Sequence, residues 1–186
     1  GILDIIALWQ GGATYYGGLI LAVISSGIYL RIKKASFLQV ADIIAPSIGL
    51  GIMLTRIGCF LSGCCFGEPT SCPAGMVFPN DAPAGHIFPG MHIHPTQLYA
   101  SAYGLIIFAV LLLIDRKRRP DGFLFGVLCV LYGVARFLID FVRYYEGSAI
   151  VAGGLTDNQL ISAGLFLLGV FLMRFSVVRA RRSLGV

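Results

Sequence analysis

Residues 122–142 read GFLFGVLCVLYGVARFLIDFV, and Arg116, Lys117, Arg118 and Arg119 stand just before them. A helix crosses the hydrocarbon core of a bilayer in about 20 residues, and this run has that length. Arg136 and Asp140 are its only charges. Backbone polar groups find no water in lipid, so the run must satisfy them internally as a helix. Four more apolar stretches of near-spanning length occur, over residues 15–30, 40–61, 95–114 and 159–175. The first is short unless its helix begins earlier, and the second contains Asp42 and Pro46. The expectation is an all-α protein, a polytopic transmembrane helix bundle of five spans forming one membrane domain over 1–186. Gly49, Gly51, Gly126, Gly133, Gly164 and Gly169 suit close helix contact within it.

Composition agrees. Hydrophobic residues make up 57% of the chain and charged residues 12%, with mean hydropathy +0.85. Soluble domains carry about 25% charged residues. The net charge of +5 does not indicate nucleic acid, because the bases sit in short clusters between apolar runs. The chain opens on Gly1 with no basic n-region or cleavage site before a span, which reads as missing upstream sequence or as trimming.

The basic clusters set the topology. Arg31, Lys33 and Lys34 follow the first run, residues 116–119 separate the third and fourth, and Arg174, Arg179, Arg181 and Arg182 follow the fifth. Alternating spans put all three clusters on one side, and the positive-inside rule makes that side the cytoplasm. They hold 11 of the 14 basic residues.

Arg56, Arg136 and Arg143 remain, and all three fall toward the opposite, outer end. An arginine in a membrane helix costs at least ~2.5 kcal/mol unless something offsets it. Asp140 is spaced to pair with Arg136 or with Arg143, whereas Arg56 has no acid within a helical turn. The functional reading is a phosphate clamp, because the guanidinium fork matches phosphate oxygens. The partner at that depth is a membrane lipid headgroup.

One long connection, residues 62–94, holds all three histidines and is read as an extracytoplasmic loop. It joins Arg56-Ile-Gly-Cys59-Phe-Leu-Ser-Gly63-Cys64-Cys65-Phe-Gly67 to His94-Pro-Thr-Gln97-Leu-Tyr99. Pro95 suits a first helical turn, which puts His94 near an N-cap at the membrane surface. A histidine there either exchanges protons near neutral pH or is simply solvated.

These segments, with residues 11–19 (GGATYYGGL), Arg136-Phe-Leu-Ile-Asp-Phe-Val-Arg143 and residues 154–160 (GLTDNQL), resemble the ordered motifs of the prolipoprotein diacylglyceryl transferase family. The resemblance covers nearly the whole chain. It implies a seven-span fold with an outside N-terminus, which five spans starting outside would fit with two lost. It implies transfer of a diacylglyceryl group from phosphatidylglycerol to the lipobox cysteine of a prolipoprotein signal peptide, with glycerol phosphate leaving. The location implied is the bacterial plasma (inner) membrane, with the active site near the extracytoplasmic face. No cofactor and no metal are implied. Carried over by motif position, Arg56, Arg143, His94 and Tyr16 are the catalytic set. Gly17, Gly18, Cys59, Cys64, Gly67, Gln97, Tyr99 and Arg136 are the substrate-binding set.

The chain departs from the family pattern at four places. Tyr16 stands where His-Gly-Gly is common, and a tyrosine with pKa ~10 is a poor base at neutral pH. Cys59 replaces an asparagine, Ser62-Gly63-Cys64 replaces Asn-Gly-Glu, and Ala100 replaces a glutamate. Glu68 is a candidate substitute carboxylate. Phosphate handling survives these changes, and part of the acid–base equipment does not.

Cys59, Cys64, Cys65, Cys72 and Cys129 are an odd set. The first three read as a lipid-carrying thiol, a disulfide (with Cys72 a further partner) or a metal site with His86, His92 or His94, and Cys59 and Cys129 alternatively as small buried fillers. No Cys-x-x-Cys pair supports zinc. Two further classes of function stay open: a divergent phospholipid-dependent transferase with cysteine chemistry on another acceptor, and a non-enzymatic transporter or lipid-binding scaffold. Asp42 is the main residue that fits a path across the bilayer.

Overall fold

The computed structural model describes residues 13–117, 119–145 and 155–183, with backbone alone for 13–20 and 183. Its helices are α1 (Ala13–Ile32), α2 (Phe37–Leu61), α3 (Pro83–Ile87), α4 (Thr96–Asp115), α5 (Phe123–Ile139) and α6 (Asp157–Ser183). A 3-10 turn over Asp140–Val142 extends α5. Among the described residues, four helical segments are long and apolar enough to cross a membrane: Phe37–Leu61, Thr96–Asp115, Phe123–Val142 and Asp157–Arg182. Leu21–Ile32, the fully described part of α1, is a shorter apolar helix. The chain is therefore a polytopic helical membrane protein. Ile43, Ile106, Leu138 and Leu167 are exposed, as lipid-facing positions are.

The chain divides into two compact units, Gly1–Val40 and Ala41–Val186. The first holds α1 and the opening turn of α2. Within the second, α2 runs antiparallel to α4, and their backbones meet at Gly49 and Gly104. A Cβ on Gly49 would lie 2.9 Å from the Phe108 nitrogen, and one on Gly104 would lie 2.8 Å from the Met53 nitrogen. The α5–α6 pair is also antiparallel and closes at Gly126 against Gly169 and at Gly133 against the Ser162 carbonyl. Small residues at helix contacts are how membrane helices gain packing without a hydrophobic driving force. Gly51 and Gly164, expected at such contacts, instead face open space. Spacing alone does not say which face of a helix meets a neighbour.

Ala45, Ile107, Leu111, Leu124, Val127 and Leu128 form the core between α2, α4 and α5. At that end Asp42 accepts hydrogen bonds from the backbone N–H groups of Gly122 and Phe125, both at 2.7 Å. Asp42 thus caps the N-terminus of α5, where free N–H groups and the helix dipole favour a carboxylate. This corrects its reading as part of a path across the bilayer.

At the other end, residues 62–95 fold over a small core of their own. Phe66, Phe78, Ala84 and Ile93 are buried there, with Phe60, Phe88 and Tyr144 packed against them. Isolated backbone bridges pair Pro69 and Met76 with Ile93. Tyr144 stacks on Phe66 at 5.6 Å and meets the Phe88 ring at 5.0 Å. These aromatic contacts fasten the loop to the chain leaving α5.

Candidate active site

The end of α2 is built by a local rule. The Cys64 N–H donates to the Cys59 carbonyl and the Gly63 N–H to the Phe60 carbonyl, with Gly63 at φ +64°. This is a Schellman motif, in which the second residue past the cap contacts the third from the helix end. Those two positions are usually apolar, and here they are Cys64 and Cys59. Cys65 follows at φ +61°, a conformation that side chains rarely adopt. The turn brings the sulfurs of Cys59, Cys64 and Cys65 within 4.8 Å of one another.

The first residues of α4 hold that turn. The Thr96 hydroxyl donates to the Cys65 carbonyl at 2.9 Å, and the Gln97 Nε2 donates to the Cys64 carbonyl at 2.8 Å. Gln97 is completely buried, and its Oε1 has no hydrogen-bond partner among the described residues. Its role in the structure is thus to fix the double-cysteine turn. Pro95 is the N-cap of α4, so His94 stands one residue outside the helix. The His94 Nδ1 lies 3.3 Å from the Tyr99 hydroxyl, and His94 is only half-buried.

Gly67 ties the parts together. Its N–H donates to the His94 carbonyl, and its backbone bridges Arg143. Arg143 therefore leaves α5 in extended conformation beside the cysteine turn and His94. Its guanidinium lies over the Tyr145 ring at 5.5 Å. Arg56 sits half-buried in the last turns of α2. Both Arg56 and Arg143 act electrostatically on Cys65 and on the Tyr103 hydroxyl, so their charges converge on one region. Among the described residues neither has a carboxylate partner.

Arg136 is different. It pairs with Asp140 at 2.8 Å and donates to the Tyr145 hydroxyl at 2.7 Å. Asp140 also accepts from the hydroxyls of Tyr145 and Thr156. Thr156 and Gln159 form a capping box on α6, each bonding the other's backbone N–H. Thr156 to Leu160, from the GLTDNQL segment, thus form the capped start of α6, locked to α5 through Asp140. Of the two pairings the spacing offers Asp140, the structure takes Arg136.

The cysteine environments diverge. Burial, with Cys65 and Cys59 alongside, pushes the Cys64 thiol up to about 11. Burial pushes Cys65 up as well, but Arg143, the hydrogen bond with Cys64 and Arg56 outweigh it and hold Cys65 below the ordinary thiol value. All five cysteines are free thiols, Cys72 exposed and Cys129 buried. His86 and His92 are exposed and stand apart from the sulfur cluster, and the His92 Nδ1 lies 3.1 Å from the Gly75 carbonyl. Glu68 is exposed, and its backbone pairs with Val142 and His94. Tyr16, Gly17 and Gly18 lie in α1, in the other unit, and their side chains fall outside the described residues.

Sequence reasoning overlooked Tyr103, whose buried hydroxyl has no hydrogen-bond partner among the described residues. It also overlooked Tyr145. The (i, i+4) spacing from Tyr99 to Tyr103 was the available signal for the first. Nothing in the spacing marked the second, whose contacts depend on the turn after α5.

The sequence model described as prolipoprotein diacylglyceryl transferase matches residues 1–175. A protein of Geobacter sulfurreducens named phosphatidylglycerol–prolipoprotein diacylglyceryl transferase is 37% identical over 98% of this chain and 67% of its own length. Proteins of the same name from Bordetella avium and Clostridium tetani are 38% and 34% identical, over 97% and 92% of this chain and 66% of their own length. The chain spans about two thirds of the length of these relatives. The matches run over nearly the whole chain, and the chain belongs to the prolipoprotein diacylglyceryl transferase family.

Proposed function

We propose that this protein transfers a diacylglyceryl group from phosphatidylglycerol to the lipobox cysteine of a prolipoprotein. The observation that carries the reading is the convergence of Arg56 and Arg143, neither with a carboxylate partner among the described residues, on the cysteine turn that Gly67 joins to His94. Both guanidiniums present planar donors suited to a lipid phosphate. The acceptor thiol loses its proton, its sulfur bonds the glyceryl carbon that bore the phosphate, and that carbon–oxygen bond breaks. Glycerol phosphate leaves with the electron pair, and the arginines stabilise its growing charge. His94, oriented by Tyr99, takes the thiol proton. By motif position, Tyr16, Gly17 and Gly18 belong to the same functional set.

The loop over residues 62–94 faces the extracytoplasmic side of the bacterial inner membrane, and the basic clusters face the cytoplasm. The Asp42 cap on α5 weighs against a transporter, because it removes the main candidate for a polar path.

The test supplies the purified full-length protein with phosphatidylglycerol vesicles and a lipobox peptide. A peptide heavier by one diacylglyceryl group, with glycerol phosphate released, is the expected result. No product beside a working relative would overturn the reading.

A further inference from the structure

Two of the positions that depart from the family pattern meet in one turn. Cys59 and Cys64 both differ from the expected residues, and the Schellman turn places them in contact. Cys65 completes a triangle of sulfurs within 4.8 Å. We propose that Cys59, Cys64 and Cys65 form a three-thiolate site for a soft metal ion of the Cu(I), Zn(II) or Cd(II) class.

The geometry fits. Metal–thiolate bonds of about 2.3 Å place three sulfurs around one ion about 4 Å apart. The cluster reaches that with a small contraction. Its backbone is held from outside by Thr96 on the Cys65 carbonyl and Gln97 on the Cys64 carbonyl, as ligands of a metal are usually held by a supporting layer of hydrogen bonds. All three cysteines are half-buried, open enough for an ion to enter.

Charge fits as well. Three thiolates around a monovalent or divalent ion leave a net negative complex. Arg56 and Arg143 supply positive charge beside it, with no carboxylate paired to either among the described residues. Soft thiolates select ions of this class over magnesium or calcium. A disulfide competes poorly at one edge of the triangle, because adjacent residues have Cα atoms ~3.8 Å apart, under the ~4.4 Å lower limit usual for such bonds. The two remaining edges, Cys59 with Cys64 and Cys59 with Cys65, are competitors for the test to decide.

The site does not depend on the transferase reading, and its test uses binding and not turnover. Full-length protein in detergent, reduced and freed of reductant, is titrated with cadmium(II). The expected result is one ion per chain with an ultraviolet thiolate-to-metal band. Cys59→Ser, Cys64→Ser and Cys65→Ser each remove the band, while Cys72→Ser and Cys129→Ser keep it. Labelling the wild-type protein with a maleimide guards against variants that misfold. Cadmium should protect Cys59, Cys64 and Cys65 from the reagent and leave Cys72 reactive. Absence of binding, binding that survives loss of Cys59, Cys64 or Cys65, equal protection of Cys72, or a disulfide from Cys59 to Cys64 or Cys65 in the reduced preparation would each overturn the proposal.

Discussion

Gly67 and Arg143 face each other across an antiparallel backbone bridge, with the Glu68 N–H donating to the Val142 carbonyl and the Tyr144 N–H to the Phe66 carbonyl. They form the non-hydrogen-bonded kind of pair, in which Cα atoms approach to about 4.5 Å. The Gly67 N–H meanwhile reaches the His94 carbonyl. One glycine thus sets the spacing of the arginine, the histidine and the cysteine turn.

Gly67→Ala should disturb that spacing directly. Its Cβ would lie 2.5 Å from the Val142 carbonyl oxygen, 2.6 Å from the His94 Cβ and 2.8 Å from the Thr96 Cγ2. None of the three is the end of a flexible side chain. Overpacking of this kind costs roughly 1–3 kcal/mol. Thermal unfolding in detergent should show the loss, and transferase activity should fall further than the stability change explains. An alanine variant with unchanged melting and activity would show that the three segments are not pinned at this residue.

Arg143→Lys tests the phosphate clamp. Lysine keeps the charge and loses the fork. A charge-assisted hydrogen bond contributes about 1.5–3 kcal/mol, so turnover should drop on the order of 10- to 100-fold. Arg56→Lys should behave alike. Wild-type turnover in both variants would remove the two arginines from lipid handling.

Much of this arrangement was legible in the sequence. Period, length and the basic clusters gave the helices, because a membrane leaves the backbone few choices. Arg56, His94 and Arg143 stood out because they lie toward the outer end, away from the basic clusters that mark the cytoplasmic ends of the spans. The role of Gln97 was hidden: nothing in its spacing reveals that its amide holds the Cys64 carbonyl 33 residues earlier in the chain. Asp42 was misread for the same reason, since its partners Gly122 and Phe125 are 80 and 83 residues away. The contact between Cys59 and Cys64 was readable in principle from Gly63 as a helix-ending glycine.

Asp42→Ala should cost about 1 kcal/mol, the usual effect of losing a helix cap. Asn keeps one acceptor oxygen and replaces the other with an NH2 donor, so Asp42→Asn should retain only part of that stability. Both should keep the catalytic end intact, because Asp42 serves the opposite end of α5. Transferase activity abolished in Asp42→Asn, with melting unchanged, would instead give the carboxylate a functional part.

The two thiols of the double-cysteine turn should react at different pH. The field of Arg143 and Arg56 favours the Cys65 thiolate, whereas burial beside two other sulfurs disfavours that of Cys64, pushing its thiol up to about 11. A lowered pKa means that the charged form appears at lower pH. Iodoacetamide should therefore modify Cys65 in metal-free protein at a pH where Cys64 is still protonated, with mass spectrometry reading the site. Arg143→Ala should move the Cys65 profile to higher pH. Equal profiles for the two thiols would contradict the electrostatic picture.

Asp140 is the partner that makes a buried Arg136 tolerable. Arg136 is 8% exposed and Asp140 5%, and Tyr145 and Thr156 complete the carboxylate's hydrogen bonds. Removing one member of such a pair strands a buried charge and costs roughly 3–5 kcal/mol, whereas replacing both with apolar residues is often near neutral. Asp140→Ala should therefore unfold at markedly lower temperature, and Arg136→Met combined with Asp140→Leu should recover most of the loss. If the double variant regains stability and activity, the pair is structural, locking α6 to α5 through Thr156. If it regains stability alone, Arg136 also serves the substrate. A single Asp140→Ala variant as stable as the wild type would mean that Tyr145 and water suffice to hold the arginine, and that the lock lies elsewhere.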